Sequence, residues 1–251
     1  MTRKLAFISL ISLLLSCKTE YHKVVEVYPN GKPKIEYVYW DKNDTSRYTY
    51  NSYFDNGKLM FSSKIVNEKF TNEKITYYSN GQIKRIEKLD KPVAFDDSLY
   101  DCEVINYWKN GKPESKYTFK NNLLEGTAYY YDSLGNLGRK DDYANGKLNG
   151  KEIHYYSTGQ IKELVNVKND SAYGFEYYFD EKGDTTKAFV HYGLSVDGIF
   201  YKKWLANGIT LTGSYGDSNR SFFIWKWYDK NKTEIKKLVD KGNNGEFIAP
   251  E

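Results

Sequence analysis

Two cysteines and three histidines in 251 residues leave little for disulfide, metal or acid–base chemistry. If Cys17 is consumed by modification, Cys102 has no partner within the chain, so the fold must be held by strand pairing and packing. Cysteine and histidine together are too few for a structural zinc site. His22 falls in an N-terminal tether and His154 in an ordinary strand position, without the positioned partner that a general base needs. Gly193-Leu194-Ser195-Val196-Asp197-Gly198 lacks the spacing of a nucleophile elbow, and no P-loop or dinucleotide fingerprint is present. Basic residues form no block of the kind that tracks a phosphate backbone, which argues against nucleic acid. Pro33, Pro92, Pro113 and Pro250 fall in turns, near strand starts or in the tail, and no helix is expected in the mature chain. These absences point to a protein that is not an enzyme and carries no cofactor or metal.

The N-terminus has a shape of its own. Thr2-Arg3-Lys4 is a short basic region, and the apolar run Leu5 to Leu15 has 11 residues. A hydrocarbon core needs about 20 apolar residues, so the run is a secretion signal and not a membrane span. Leu14-Leu15-Ser16-Cys17 follows, and it resembles the lipobox of bacterial lipoproteins. That resemblance implies cleavage between Ser16 and Cys17 and acylation of Cys17, with the lipid holding the protein on a bilayer. Residues 1–16 are then the signal and 17–23 a lipidated tether. Lys18, in place of aspartate, favours the outer membrane by analogy with lipoprotein sorting. Removing Arg3 and Lys4 takes the formal charge of +4 down to +2.

What the chain has in abundance is tyrosine, 25 residues of it, with aromatics at 17% against a mean hydropathy of −0.73. A ring buried at one end and wet at the other suits a sheet with water on both faces. Asn-Gly, or a variant, recurs about every 24 residues just after bulky residues: Tyr28-Pro29-Asn30-Gly31, Phe54-Asp55-Asn56-Gly57, Tyr78-Ser79-Asn80-Gly81, Trp108-Lys109-Asn110-Gly111, Tyr156-Ser157-Thr158-Gly159 and Leu205-Ala206-Asn207-Gly208. Tyr131-Asp132-Ser133-Leu134-Gly135 and Phe179-Asp180-Glu181-Lys182-Gly183 read as loops one residue longer. Tyr228-Asp229-Lys230-Asn231 is a worn ninth copy in which Asn231 replaces the glycine. A fixed period of this size marks a repeat array.

Asn-Gly favours a two-residue type I′ hairpin. On that geometry Tyr156 faces Ile161, Tyr155 faces Lys162 and Ile153 faces Leu164, while in the third copy Tyr78 faces Ile83 and Ile75 faces Ile86. Both faces then carry rings and aliphatics, which favours one open antiparallel sheet over a sandwich. Gly126, Gly150, Gly174 and Gly198 open the middle copies and mark bends. Asn145-Gly146 supplies a turn linking hairpin to hairpin. The expected architecture is all-β, an elongated meander of about nine hairpins over residues 24–240, with an insertion at 91–103 and a tail at 241–251. Asp96, Asp97, Asp101 and Glu103 in the insertion are not spaced like a calcium loop, and a solvated loop is expected there.

The unit Y-Y-x-N-G-x-[LI]-K, followed by a polar strand and G-x-x-x-x-Y-Y, resembles the MORN repeat variant of bacterial lipoproteins, also the repeat of the YwqK-type antitoxin family. Lys74 to Lys84 and Glu152 to Lys162 are the best copies, and the resemblance runs from about Val24 to Leu238. It implies a single-sheet array that binds another protein, with an antitoxin- or immunity-like role as one version. A glycan or peptidoglycan ligand stacked on exposed Tyr and Trp is the alternative, and a structural spacer a third reading. The densest aromatic cluster is Phe222, Phe223, Ile224, Trp225 and Trp227. Trp225 and Trp227 share a face of an extended strand, where they seal the last repeat or dock a partner. Phe223, Trp225 and Trp227 are the candidate binding surface. The lipid reading is checked directly: the Cys17→Ala chain should lose its acyl mass in intact-mass spectrometry and move from the detergent phase to the aqueous phase.

Overall fold

The computed structural model describes residues 20–98, 100–191, 201–204, 210–215 and 223–240. Within these residues there are nineteen strands and no helix. They are β1 (Tyr21–Val27), β2 (Pro33–Tyr39), β3 (Arg47–Tyr53), β4 (Leu59–Val66), β5 (Lys69–Tyr77), β6 (Ile83–Leu89), β7 (Val93–Ala94), β8 (Cys102–Tyr107), β9 (Pro113–Lys120) and β10 (Leu123–Tyr131). The series continues as β11 (Leu137–Ala144), β12 (Lys147–Tyr155), β13 (Ile161–Lys168), β14 (Ser171–Phe179), β15 (Thr185–His191), β16 (Tyr201–Trp204), β17 (Thr210–Tyr215), β18 (Phe223–Tyr228) and β19 (Glu234–Asp240). All belong to one antiparallel meander, each strand pairing with the next. One detour breaks the order. The two-residue β7 pairs with the start of β5, and β6 pairs directly with β8. Ser16, Cys17, Gly198, Gly208, Phe222 and the tail at 241–251 lie outside the described residues.

The asparagine–glycine turns differ from the expected type. Gly31 N donates to Tyr28 O at 2.9 Å and Tyr28 N to Lys32 O at 2.8 Å, a pattern repeated at 54–58, 78–82, 108–112 and 156–160. Only the glycine is left-handed, with φ between 78° and 93° from Gly31 to Gly183, while the asparagines keep negative φ. This is a type I turn closed by a left-handed glycine and a one-residue bulge, a three-residue loop. The bulge shifts the pairs beside the turn, so Tyr155 faces Ile161 and Tyr77 faces Ile83; Ile153–Leu164 and Ile75–Ile86 form as expected. Type I′ geometry belongs to the opposite edge. Asn67-Glu68, Asn121-Asn122, Asn145-Gly146 and Asn169-Asp170 all have both residues at positive φ and join one hairpin to the next.

Where asparagine precedes the glycine, its side chain reinforces the three-residue turn; at 156–160 Thr158 stands in its place and the same turn forms. Asn30 Oδ1 accepts its own turn's Lys32 N–H at 3.0 Å, and Asn30 Nδ2 donates to Asp55 O of the next turn at 3.1 Å. Asn56 does the same with Lys58 N (2.9 Å) and Ser79 O (3.0 Å), and Asn110 with Lys112 N (3.0 Å) and Ser133 O (2.7 Å). Two further side chains span the same gap. Lys32, Lys58 and Lys112 donate to Asn56, Asn80 and Leu134 carbonyls at 3.1, 2.7 and 2.5 Å. Apart from Phe54, which has no donor, the ring that opens an asparagine–glycine type turn donates to the end of a later strand: Tyr28 to Tyr53 O, Tyr78 to Tyr107 O, Trp108 to Tyr131 O and Tyr156 to Phe179 O. Glycine is needed for the left-handed φ; a Cβ on Gly81 would meet the Lys58 stem at 3.4 Å, an ordinary contact.

The loops at 132–136 and 180–184 are the same length as the others. Asp132 and Asp180 occupy the opening position, each accepting two backbone N–H groups of its own turn at 2.8–2.9 Å. In the ninth copy Asp229 repeats this, and Lys232, not Asn231, takes the glycine place at φ 62°. Gly126, Gly150 and Gly174 sit at breaks in strand register, as bends require. At Gly150 a Cβ would stand 2.5 Å from Asp142 Cβ.

The two faces are unequal, contrary to the expectation of rings and water shared evenly. Residues paired across strands project to the same side. Ser63, Val104, Asp141 and Val165 lie on one side, reached through Lys74, Glu87 and Glu152. That side, here the inner face, also holds Ile65, Cys102, Ala128, Trp225 and Trp227, all buried. The outer face carries Ile75, Ile86, Ile105 and Leu164, half-buried, with Val38 and Ile153 buried. Small Ser52, Ser63, Ser115 and Ala128 are covered because larger neighbours on adjacent strands lean over them. Because Asn56 is exposed and acts only through its turn, Asn56→Ala should lower the free energy of urea unfolding by about 1–2 kcal/mol for two lost hydrogen bonds; an unchanged midpoint would show that the turns are independent.

Candidate binding surface

Trp225 and Trp227 are 2% and 6% exposed, so the surface expected at the C-terminus is closed. Both project to the inner face from β18, where Trp225 stands opposite Gly213 and Trp227 opposite Leu211. The glycine leaves room for one indole. Lys236 Nζ lies 4.4 Å from the centroid of the other. Of the two roles open to them, they seal the sheet and present no ring. Phe223 opens the same strand, and its side chain is outside the described residues.

The longest run of aromatic rings lies at the other end of the array, mostly half-buried, with Tyr39 7% exposed. Tyr39, Tyr48, Ile65 and Phe70 form one inner-face row across β2 to β5, and Tyr37 and Tyr50 lie one step along it. Centroids are 6.4 Å apart for Tyr37–Tyr39, 4.7 Å for Tyr37–Tyr48 and 5.8 Å for Tyr37–Tyr50. The chain of rings continues through Phe61 at 5.9 Å to Phe70 at 6.3 Å and Phe95 at 4.9 Å. Tyr21 extends it toward the edge strand, 6.0 Å from Tyr39. Tyr21 and Phe95, the two ends, are 42% and 54% exposed. The signal was present in the alternating Tyr37-Val38-Tyr39 and Tyr48-Thr49-Tyr50, four rings on one side of two adjacent strands, with Tyr53 of β3 on the other side beside Glu36.

The insertion is more than a solvated loop. Val93 is buried on Phe70 through the β5–β7 pairing. Tyr100 reaches over the inner face, its hydroxyl donating to Glu87 Oε2 at 3.1 Å and Lys74 Nζ lying 4.2 Å from its ring. Its far end is tied to the β9–β10 turn, where Asn122 donates to Ser98 O and Asp101 Oδ1 accepts Asn121 N at 2.6 Å. The four carboxylates disperse instead of converging: Asp97 accepts Ala94 N, Asp101 caps the turn, and Glu103 pairs with Lys88 and Lys116 at 3.1 and 2.6 Å. Glu103 is held below the usual carboxylate range, chiefly by Lys116. Asp96 is exposed. Among the described residues no three Asp, Glu, His or Cys side chains come together as a metal site.

Beneath the insertion runs a seam of charge. Arg85 Nε meets Glu87 Oε1 at 2.7 Å, and Lys74 stands 4.0 Å from the same carboxylate. Burial lowers the Lys74 pKa, while burial and the Glu87 carboxylate push the Tyr100 hydroxyl up to about 12. Cys102 is buried, its thiol pushed up to about 11 by burial, which keeps it an unreactive thiol. Further along, Arg139 pairs with the 1%-exposed Asp141 at 3.1 Å, and burial raises the Asp141 pKa against that pull. His154 bonds to Glu152 at 2.9 Å and His22 to Glu36 at 3.0 Å. The turn glycines Gly31, Gly57, Gly81, Gly111, Gly135, Gly159 and Gly183 all occupy the left-handed turn position.

The family model for the MORN repeat variant matches residues 101–121 and 148–169. Both hairpins match that repeat. The first runs through β8 and β9 and the second through β12 and β13, so a MORN repeat variant is the hairpin around one three-residue turn, and the type I′ turns are the joints between repeats. No curated protein matches the chain. Among solved structures, the crystal structure of TcdB2-TccC3-TEV is 12% identical over 84% of this chain and 15% of its own, with a TM-score of 0.17. The Photorhabdus luminescens Tc holotoxin pore with mutant TccC3 is also 12% identical, over 84% and 14%, with a TM-score of 0.16. At these TM-scores neither likeness bears on the fold or the function of this chain. A sealing tryptophan should behave as core: Trp225→Ala is expected to destabilise by about 3–5 kcal/mol in equilibrium unfolding, where an exposed docking residue would cost little.

Proposed function

We propose that the protein is an envelope lipoprotein, acylated at Cys17 and held on the outer membrane, whose MORN-like array is a non-catalytic scaffold for a protein partner. The observation that carries this reading is the continuous run of rings from Tyr21 to Phe95 on the inner face of β1 to β5, ending in two exposed side chains. Aromatic rings offer large contact area at low entropic cost and concentrate where proteins dock. The array holds them at fixed strand spacing, so a partner meets a preformed surface. Among the described residues, charged side chains of the inner face pair with one another, Lys74 and Arg85 with Glu87 and Arg139 with Asp141. An antitoxin- or immunity-like role is the finer version, supported by the family resemblance of the repeat. A glycan ligand has less behind it, because Trp225 and Trp227 are buried. In affinity capture from envelope extracts, one protein should be enriched by the tagged Cys17→Ala chain and reduced at least tenfold by Tyr21→Ser with Phe95→Ser. A captured set that is indifferent to those two changes would remove the reading.

A further inference from the structure

Five aromatic side chains alone line a cavity of about 320 Å³ on this surface: Tyr37, Tyr48, Tyr50, Phe70 and Phe95. The first four stand on the sheet and form a floor. Phe95 comes from the loop after β7, meets Phe70 edge-on at 71°, and rises as a wall. A pocket meant for an apolar ligand usually mixes aliphatic and aromatic side chains; this one has no aliphatic side chain. What five rings share is a negative quadrupole over each face, and that attracts a cation.

Charges of both signs stand around the cavity. Glu68, exposed, acts on the Tyr48 hydroxyl and lines the neighbouring cavity. Glu26 acts on Tyr50 and is bound by Lys34 at 2.5 Å. One floor ring already holds a cation, since Lys74 Nζ stands 4.6 Å from the Phe70 centroid, with Glu87 behind it at 4.0 Å. A second cavity of about 570 Å³ shares Tyr37 and Tyr48 and adds Thr45, Ser46, Asn67 and Glu68. The pair of compartments suits a ligand with a bulky, weakly hydrated cation at one end and a polar group at the other. A bare ammonium is too strongly hydrated to leave water for rings alone.

We propose that this cavity is an aromatic cage for an alkylated ammonium cation of the choline type, with the cation among the five rings and the polar end toward Ser46 and Glu68. The cavity lies within the run of rings offered to the protein partner and shares Phe95 with it, but tetramethylammonium binding and partner capture are separate readouts, so either reading can fail without the other. The test uses the full chain with Cys17→Ala and follows saturation transfer in NMR to tetramethylammonium and to neopentyl alcohol, a neutral molecule of nearly the same shape. Tetramethylammonium should bind about tenfold more tightly or better, since only the cation gains from the ring faces. Phe95→Ala, a change at an exposed loop residue, should weaken it several-fold, as should Tyr48→Leu. Tyr173→Ala, at an exposed ring on β14, should leave it unchanged. Displacement by free choline supports a small solute, and choline-reversible pelleting with phosphatidylcholine vesicles supports a lipid headgroup of the same chemistry. Equal binding of neopentyl alcohol, full binding by Phe95→Ala, or transfer to peptidoglycan fragments with none to tetramethylammonium would overturn the assignment.

Discussion

A turn in this array leaves backbone carbonyls that its own residues cannot satisfy, and the asparagine of the preceding repeat satisfies one of them. Asn56 shows the arrangement: its carbonyl oxygen closes its own turn on Lys58, and its amide reaches Ser79 in the next. A single sheet has no second layer to orient its hairpins. Alignment has to come from contacts between neighbours. The rail of turns provides it, with a ring, an amide or a lysine bond where a turn carries the residue for it. The rail crosses the insertion, because Tyr78 still reaches Tyr107. Where aspartate opens the turn, at Asp132 and Asp180, the carboxylate accepts from its own loop.

With one edge held by that rail and the other by the type I′ joints, the faces are free to differ. The inner face takes on small residues and a seam of paired charges, and the insertion covers part of it with Tyr100 and Val93. The tryptophans of β18 close it near the far end. Between β1 and β5 the same face carries a half-buried aromatic row that is exposed at its two ends, Tyr21 and Phe95.

Much of the array could be read from residues alone. Spacing placed the turns at 28–32, 54–58, 78–82, 108–112 and 156–160, the pairing of Ile153 with Leu164 followed from counting outward, and the bends at Gly126 and Gly150 followed from a glycine inside a strand pattern. The turn type did not follow. Asn-Gly is compatible with both a two-residue and a three-residue loop; the array uses the three-residue loop even at Thr158-Gly159, and at Asn56 the side-chain amide adds a bond to a carbonyl some two dozen residues away. The supposed longer loops came from aligning rings instead of glycines; Tyr131 is the last residue of its strand, and Asp132 opens the turn. The insertion was misjudged because its carboxylates look solvated one by one, whereas Asp101 and Glu103 each find a protein donor across the sheet.

Sequence by itself determined the period, the strand content and which side chains share a face, because alternation and turn chemistry are local properties. It could not determine which face is covered or where cover is absent. Trp225 and Trp227 stand in the same alternating pattern as Tyr48 and Tyr50, yet two are sealed and two line a cavity. Burial depends on what crosses from other strands and from the insertion, and only the tertiary structure brings Phe95 and Val93 onto Phe70, opens the rings beside them, and leaves the C-terminal indoles closed.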